Sequence, residues 1–464
     1  MDKTDLRHWA HRAADWSADY HDGVANRPVR PAVQPGELAA MLAPSPPETG
    51  EDMEAIFADF ERIVPGGLTH WQHPRFFAYF PANAAPASII AEQLASAMAA
   101  QCMLWQTSPI ATEMEVAMVD WLRQAFGLAD GFKGTLQDSA TTATFCAVLT
   151  MRERALGWEG NTKGLSGAPR LRVYASAENH SSIDKAVRLS GIGQENLVKV
   201  PTRADRGIDP AALAESIRAD RAAGHTPAGI VACVGGTSVG AIDPIAEVAE
   251  VAAKEDLFLH VDAAWAGSAM ICPEYRDLWR GIDRADSLVI NPHKWLGAQF
   301  ECSAHFLRDP AALIRTVGLR PGYLQTLGQD EITNFNEWSV ALGRRFRALK
   351  VWFLMRAYGL EGLRARIRNH VAWTAEAAAA VAGTEGLEIV TEPVLGLFSF
   401  AHTGGDDATQ NLIEAINADG RIYLTQTQVD GRFAIRMSVG QFDCTREDVQ
   451  TACAVIGELT DQMA

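Results

Sequence analysis

No C-x-x-C pair occurs in this chain of 464 residues, and its seven cysteines are odd in number and scattered. A disulfide framework and a thiol redox motif are thereby excluded, and reduced thiols in a cytoplasm are expected. Metal chemistry has little to stand on: His70-x-x-His73 is half a metal site, with no carboxylate or thiol at ligand spacing. No glycine spacing matches a dinucleotide fingerprint, which removes the plainest oxidoreductase reading. Positive charge is short, with 41 Lys and Arg against 57 Asp and Glu and a formal net charge of −16. That balance argues against nucleic acid and against anionic membrane surfaces. The longest apolar stretch, about 86–105, contains Glu92, Gln93 and Gln101, so no membrane span is expected. The start, Met1-Asp-Lys-Thr-Asp-Leu6, lacks an apolar signal core. No internal repeat is evident, and the only biased tract is the alanine-rich 375–383.

What is present describes a soluble globular chain, 48% hydrophobic and 21% charged, too long for one ordinary core. Leu6, Trp9, Ala13 and Trp16 follow helical spacing, and a proline-rich connector leads to a second helix near 50–64. Two such helices on a linker cannot bury their apolar faces well against each other. They need another surface, for which a partner subunit is one candidate. From about 110 to 310 the pattern alternates between strand and helix. Strands are expected at 171–175, 195–199, 228–234, 257–262, 286–291 and 302–307, and helices near 141–157, 181–190, 210–223 and 244–255. The run Gly229-Ile-Val-Ala-Cys-Val234 is continuously apolar, as in a parallel sheet covered on both faces. Cys102, Cys146 and Cys233 read as small core residues. Residues 316–338, rich in Gly, Pro, Gln and Asn, read as a mobile loop. A long helical stretch from about 340 leads to a small α+β segment, with strands at 396–400, 422–424 and 433–438 and helices at 406–419 and 445–462. The basic run Arg344–Lys350 reads as cations meeting carboxylates or solvent.

The most informative stretch is Ser287-Leu-Val-Ile-Asn-Pro-His-Lys-Trp295. A β-branched strand stops at Pro292 and presents Lys294 between an imidazole and an indole. Partial burial there disfavours the charged ammonium, and a neutral amine can attack an aldehyde. Upstream, Leu257-Phe-Leu-His-Val-Asp262-Ala-Ala-Trp265 is a second apolar strand ending in a carboxylate, 32 positions before the lysine. Ligands bind outside the carboxyl ends of strands in such sheets. A strand-end Lys to hold an aldehyde and a strand-end Asp to keep a pyridine nitrogen protonated are two parts of a pyridoxal phosphate site. Gln137-Asp-Ser-Ala-Thr-Thr-Ala143 on its own is an ordinary helix cap. Joined to a distant Lys and Asp, it reads as a phosphate cradle at a helix start. Gly235-Gly-Thr-Ser238 offers a further hydroxyl, and His180 follows the strand at 171–175, where its ring could stack on a cofactor.

Asn291-Pro-His-Lys-Trp295, His260-Val-Asp-Ala-Ala-Trp265, Thr69-His-Trp-Gln-His-Pro74 and Phe76-Phe-Ala-Tyr-Phe-Pro81 closely resemble the aromatic L-amino-acid decarboxylase family. So do Ser108-Pro109, Thr112-Glu113 and Gly343-Arg-Arg-Phe-Arg-Ala-Leu-Lys350. The resemblance covers essentially the whole chain. It implies an α/β, fold-type I (aspartate-aminotransferase-like) large domain with a mostly parallel sheet, an N-terminal helical wrap and a small C-terminal α+β domain. The implied ranges are 1–85 for the helical dimerisation segment, 86–359 for the cofactor domain and 360–464 for the small domain. It also implies a homodimer, an amino-acid substrate and pyridoxal 5'-phosphate. By position, Lys294 would hold the aldehyde, Asp262 the ring nitrogen, and His180 and Ala264 the two ring faces. Ala140, Thr141, Thr237, Asn291 and His293 would hold the phosphate. Tyr323 matches the loop tyrosine that the family uses as proton donor, which favours amine release over aldehyde-forming oxidative deamination.

The segments lining the family's side-chain pocket bring in Trp71, Tyr79, Phe80, Met103, Trp105 and Gly343, flat or small surfaces suited to an aromatic ring. Trp105 and Phe80 read equally well as core or interface residues. No basic residue waits for an acidic side chain, which disfavours glutamate. Ala82-Asn83 stands where relatives commonly carry threonine-alanine, and Met103 replaces a frequent aromatic; both would enlarge or soften the pocket. Gly343 is the small residue of indole-accepting relatives. The expectation is therefore a tryptophan-leaning decarboxylase, with phenylalanine, tyrosine or dihydroxyphenylalanine close behind. The alternatives are a decarboxylase of the same fold acting on histidine or a non-aromatic amino acid, an aldehyde synthase, and a catalytically silent dimer.

Overall fold

Strands that are apolar at every position must be covered on both faces, and the larger sheet of the computed structural model is built from such strands. Residues 3–319 and 332–463 are described. The chain divides into two compact units. The larger comprises Ala82–Ala372 and Pro393–Phe398; the smaller comprises Met1–Pro81, Trp373–Glu392 and Ser399–Ala464.

The larger unit holds a seven-stranded sheet: β1 (Lys133–Gln137), β2 (Leu171–Ser176), β3 (Leu197–Val200), β4 (Thr226–Cys233), β5 (Phe258–Asp262), β6 (Ser287–Ile290) and β7 (Ser303–Leu307). Their order is β1-β7-β6-β5-β4-β2-β3. The pairs β2·β3, β2·β4, β4·β5 and β5·β6 are parallel, and β7 runs antiparallel to both β6 and β1. The carboxyl ends of β1, β2, β4, β5 and β6 therefore share one edge. On one face, Leu171, Val173 and Ala175 of β2 pack with Val148 and Met151 of the helix Ala140–Ala155 and with Ile183 and Val187 of Ser182–Leu189. Gly229 makes this close approach possible, since a Cβ there would lie 2.5 Å from the Met151 side chain. Tyr174, pointing the other way, reaches Asp220 of the helix Pro210–Ala222 with its hydroxyl (2.8 Å), so that helix covers the opposite face.

Six strands fall where the alternation places them, within a few residues, and Cys102, Cys146 and Cys233 are buried. One strand of this sheet was missed. β1, Lys-Gly-Thr-Leu-Gln, is polar by composition, yet four of its five residues are buried because β7 and the helix Pro109–Phe126 enclose it. The basic run meets carboxylates: Arg344 bonds Glu115 (2.5 Å), Arg347 bonds Glu301 (2.5 Å), and Arg345 and Lys350 both reach Glu92. The helical stretch after it is interrupted at Gly359, where φ is +60°.

The smaller unit carries a four-stranded sheet in the order β10-β11-β9-β8, from β8 (Leu387–Val394), β9 (Leu397–His402), β10 (Thr425–Val429) and β11 (Arg432–Ser438). The strand expected at 422–424 lies instead at β10, whose Thr-Gln-Thr-Gln-Val sequence has no apolar face to announce it; Tyr423 makes only an isolated bridge to Phe76. The two N-terminal helices, Lys3–Gly23 and Met53–Ile63, do meet. Trp9 approaches Phe57 (5.6 Å), Trp16 approaches Phe60 (4.7 Å), and Arg12 bonds Glu54 (2.7 Å). No residue of either helix is buried, however, and Trp9, Trp16, Phe57 and Phe60 are only half-buried. Among the described residues no helix is long and apolar enough to cross a membrane.

Candidate active site

β5 and β6 deliver the two charged residues to neighbouring strand ends. Asp262 stands opposite Val289 in the parallel register, Ala263 N–H donates to Val289 O (3.0 Å), and Asn291 N–H donates to Ala264 O (2.9 Å). Asp262 is 7% exposed, and one of its oxygens accepts the Ala264 N–H at 3.0 Å. Just past β6 the chain makes a five-residue π turn, Pro292–Leu296, in which Lys294 is non-helical (φ −92°, ψ −113°) and half-buried. The two ends are also tied by rings. Trp265 stacks on Trp295 at 5.3 Å and 16°, and Trp295 Nε1–H donates to His370 Nδ1 at 2.9 Å.

The other loops converge on the same edge. His180, beyond β2, accepts the Ser182 N–H at Nδ1 (3.1 Å), which leaves the proton of the neutral ring on Nε2. Desolvation lowers its pKa; the Asp262 carboxylate opposes this and the Lys294 ammonium adds to it, so the imidazole lies within the field of both. Beyond β4, Gly235 adopts φ +86°, and a Cβ there would come within 2.4 Å of the Ala266 methyl. Gly236 passes close to the Glu178 carbonyl, so Thr237 is held between the β2 and β5 loops. At the end of β1, Ser139 caps the helix Ala140–Ala155 by accepting the Thr142 N–H at 3.2 Å. Ala140 and Thr141 lie half-buried in its first turn, where backbone N–H groups have no helical acceptor. Gln137 stands opposite Ser303, whose hydroxyl donates to Asn291 Oδ1 (2.6 Å), leaving the Asn291 amino group for a ligand. His293 accepts the Cys302 N–H at Nδ1 (2.9 Å), so its proton is on Nε2, and burial lowers its pKa to about 3.

These residues fit pyridoxal phosphate: one half-buried amine, one carboxylate on the adjacent strand, and an anion cradle of helix-start N–H groups and hydroxyls. Comparison with known proteins agrees. Residues 35–403 match the model of the pyridoxal-dependent decarboxylase conserved domain. The chain belongs to this family. The decarboxylase is 37% identical to tryptophan decarboxylase 1 of Oryza sativa subsp. japonica, over 100% of this chain and 95% of that protein. It is 36% identical to aromatic-L-amino-acid decarboxylase of Rattus norvegicus, over 100% and 99%. The crystal structure of Oryza sativa TDC with PLP and tryptamine superposes with a TM-score of 0.96 at 36% identity, covering 100% of this chain and 99% of that one. The decarboxylase is thus a pyridoxal-phosphate-dependent amino-acid carboxy-lyase of the aspartate-aminotransferase-like fold.

The expected pocket residues form two groups. In the smaller unit Trp71 stacks on Tyr79 (5.7 Å, 17°), both exposed, while Phe80 is buried. In the larger unit Cys102 N–H donates to Arg344 O (3.0 Å), bringing Met103 close to Gly343, where a Cβ would meet Gln101 Nε2 at 3.2 Å. Trp105 donates its indole N–H to Glu113 at 3.0 Å. Tyr323 lies outside the described residues.

Arg436 is a residue that sequence reasoning missed. It is 4% exposed, its guanidinium lies 4.8 Å from the Phe80 ring centre, and Nε and Nη2 find no hydrogen-bond partner among the described residues. Burial pushes its pKa down to about 10. The signal was an arginine inside a strand otherwise read as apolar. An unpaired buried charge is costly, so Arg436→Met is expected to stabilise the protein by about 1–3 kcal/mol, read as a higher urea midpoint. A lower midpoint would mean that the guanidinium is already satisfied.

Proposed function

We propose that the decarboxylase converts an aromatic L-amino acid, tryptophan first, into its amine and carbon dioxide, as a cytoplasmic homodimer. The reading is carried by the adjacency of Asp262 and Lys294 at the ends of β5 and β6, and the tryptophan preference by full-length similarity to a tryptophan decarboxylase. The half-buried aromatic residues of the first two helices, neither of which has a buried residue, support the dimer, with residues 1–85 as its wrapping segment.

Bound pyridoxal phosphate supplies an aldehyde for the substrate amine and a ring that takes up the electron pair left when carbon dioxide departs. Lys294 Nζ would hold the aldehyde. Asp262, buried on the neighbouring strand, would keep a proton at the ring nitrogen. Ala140 N–H, the Thr141 and Thr237 hydroxyls, Asn291 Nδ2 and His293 Nε2–H would hold the phosphate. His180 and Ala264 would hold the ring. Tyr323 would return a proton to the carbon that lost the carboxylate.

Product analysis tests this reading. The purified holoenzyme is given tryptophan, phenylalanine, tyrosine, dihydroxyphenylalanine, histidine, glutamate and aspartate, with amine and peroxide assayed together. Tryptophan is expected to give the highest kcat/KM, without peroxide. Turnover confined to glutamate or aspartate would replace the aromatic reading, and peroxide in proportion to product would make the enzyme an aldehyde synthase.

A further inference from the structure

A chain segment runs beside the lysine turn and braces it. Asn83 N–H donates to His293 O (2.8 Å), Asn83 Nδ2 donates to Lys294 O (2.7 Å), Ala85 N–H donates to Gly297 O (2.9 Å), and Gln299 N–H donates to Ser88 Oγ (2.7 Å). Only one of these bonds reaches Lys294 itself, and it comes from the side chain of a fully buried residue. The Lys294 carbonyl is otherwise approached by Gly297 N–H at 3.3 Å, a longer bond. The expectation that Asn83 softens a substrate pocket is thereby corrected: its amide points at the main chain of the lysine.

We propose that Asn83 is the positioning residue for Lys294, its amide fixing the carbonyl of residue 294 and so the direction in which the lysine side chain leaves the turn. The proposal rests on the reading of Lys294 as the residue that binds the cofactor aldehyde. In a regular helix the carbonyl direction is set by the i→i−4 ladder, but residue 294 departs from helical geometry at ψ −113°, so its peptide plane needs an external anchor. Asn83 holds the carbonyls of residues 293 and 294 with its main-chain and side-chain donors at once. Two consecutive peptide planes fixed from one residue leave the Cα–Cβ bond of Lys294 little freedom. A displacement of about 1 Å at a reacting atom can cost on the order of a hundredfold in rate.

The test uses Asn83→Ala, the isosteric Asn83→Asp, which cannot donate when ionised, and Ser88→Ala, which removes a brace bond away from the lysine. The readouts are the rate at which full-length apoenzyme takes up pyridoxal phosphate, followed by visible absorbance, the spectroscopic pH titration of the bound form, and kcat and KM separately. Asn83→Ala and Asn83→Asp are expected to slow uptake by about tenfold or more and to displace the titration midpoint. They are also expected to lower kcat by about tenfold to a hundredfold, with KM within about twofold. Ser88→Ala is expected to leave uptake within about twofold of wild type. If Asn83→Ala does not fold, Asn83→Asp decides alone. Unchanged uptake and titration in the soluble Asn83 variants would overturn the proposal, as would an equal effect from Ser88→Ala, which would assign the role to the segment as a whole. Failure of borohydride to trap the cofactor on Lys294 in the wild-type protein is a separate result. It would remove the lysine assignment beneath the proposal.

Discussion

Lys294→Ala is expected to lower kcat/KM by more than about ten-thousandfold, some 5–6 kcal/mol of transition-state stabilisation, and to abolish trapping of the cofactor by borohydride. The amine stands half-buried at the end of a fully buried strand, beside the end of the strand that carries Asp262, with Trp295 locked between Trp265 and His370. No other lysine described here shares that edge with a buried carboxylate, so no neighbour takes over. Asp262→Asn should behave differently. The isosteric amide keeps the bond from Ala264 N–H, so trapping on Lys294 persists, but it cannot hold a proton on a ring nitrogen. Its expected loss is about a thousandfold, in the range seen when one electrostatic partner of a transition state is removed. If Lys294→Ala kept a trapped cofactor, the lysine would have been misassigned. If Asp262→Asn turned over at the wild-type rate, the carboxylate would have no part in holding the electron pair.

The difference between what the sequence disclosed and what it hid follows from how each signal is written. β5 and β6 are short, mostly apolar runs, one closed by Asp262 and the other followed four residues on by Lys294, so both were legible from composition along a few residues. β1 and β10 were hidden because their hydrogen-bonding partners, not their own apolar content, make them strands. Asn83 could not be read correctly either. Its neighbours in sequence belong to the aromatic segment before it, while its hydrogen bonds go to residues more than two hundred positions away. Arg436 was legible in principle, as one charge in the strand Phe433–Ser438, but a single arginine at a strand position is ordinarily solvated at an edge; only its burial against Phe80 reveals the missing counter-charge. Family resemblance, by contrast, spans the entire chain, and it carried the cofactor and reaction class further than local pattern could.

Acid should unfold this protein early, and the larger unit shows why. His260, His305 and His370 are fully buried, and His293 nearly so. Burial lowers all four pKa values: to about 3 for His293, His305 and His370, and well below the usual range for His260. Each is neutral when folded but titrates near 6.5 when unfolded, so below pH 6.5 the unfolded chain binds more protons and stability falls with falling pH, by about 1.4 kcal/mol per unit per histidine. One group acts oppositely. Asp243, with its pKa raised to about 6 by burial, takes up a proton in the folded state before the unfolded one does, and so gains stability between pH 6 and 4. For these five groups the balance is about three histidine equivalents, or about 4 kcal/mol per pH unit between pH 6 and 5, against a typical total of about 5–15 kcal/mol; His73, lowered to about 4, and His21, His70 and His180, lowered by desolvation, act in the same direction. Ordinary carboxylates do not contribute in that interval, which isolates the effect. Urea midpoints of apoenzyme at fixed protein concentration should therefore fall steeply from pH 6.5 to 5. His305→Leu should shallow that limb by about 1.4 kcal/mol per unit, because neither ring nitrogen of His305 has a hydrogen-bond partner among the described residues. An acid limb of unchanged slope in His305→Leu would mean that this imidazole already carries its proton, or meets water, inside the folded sheet.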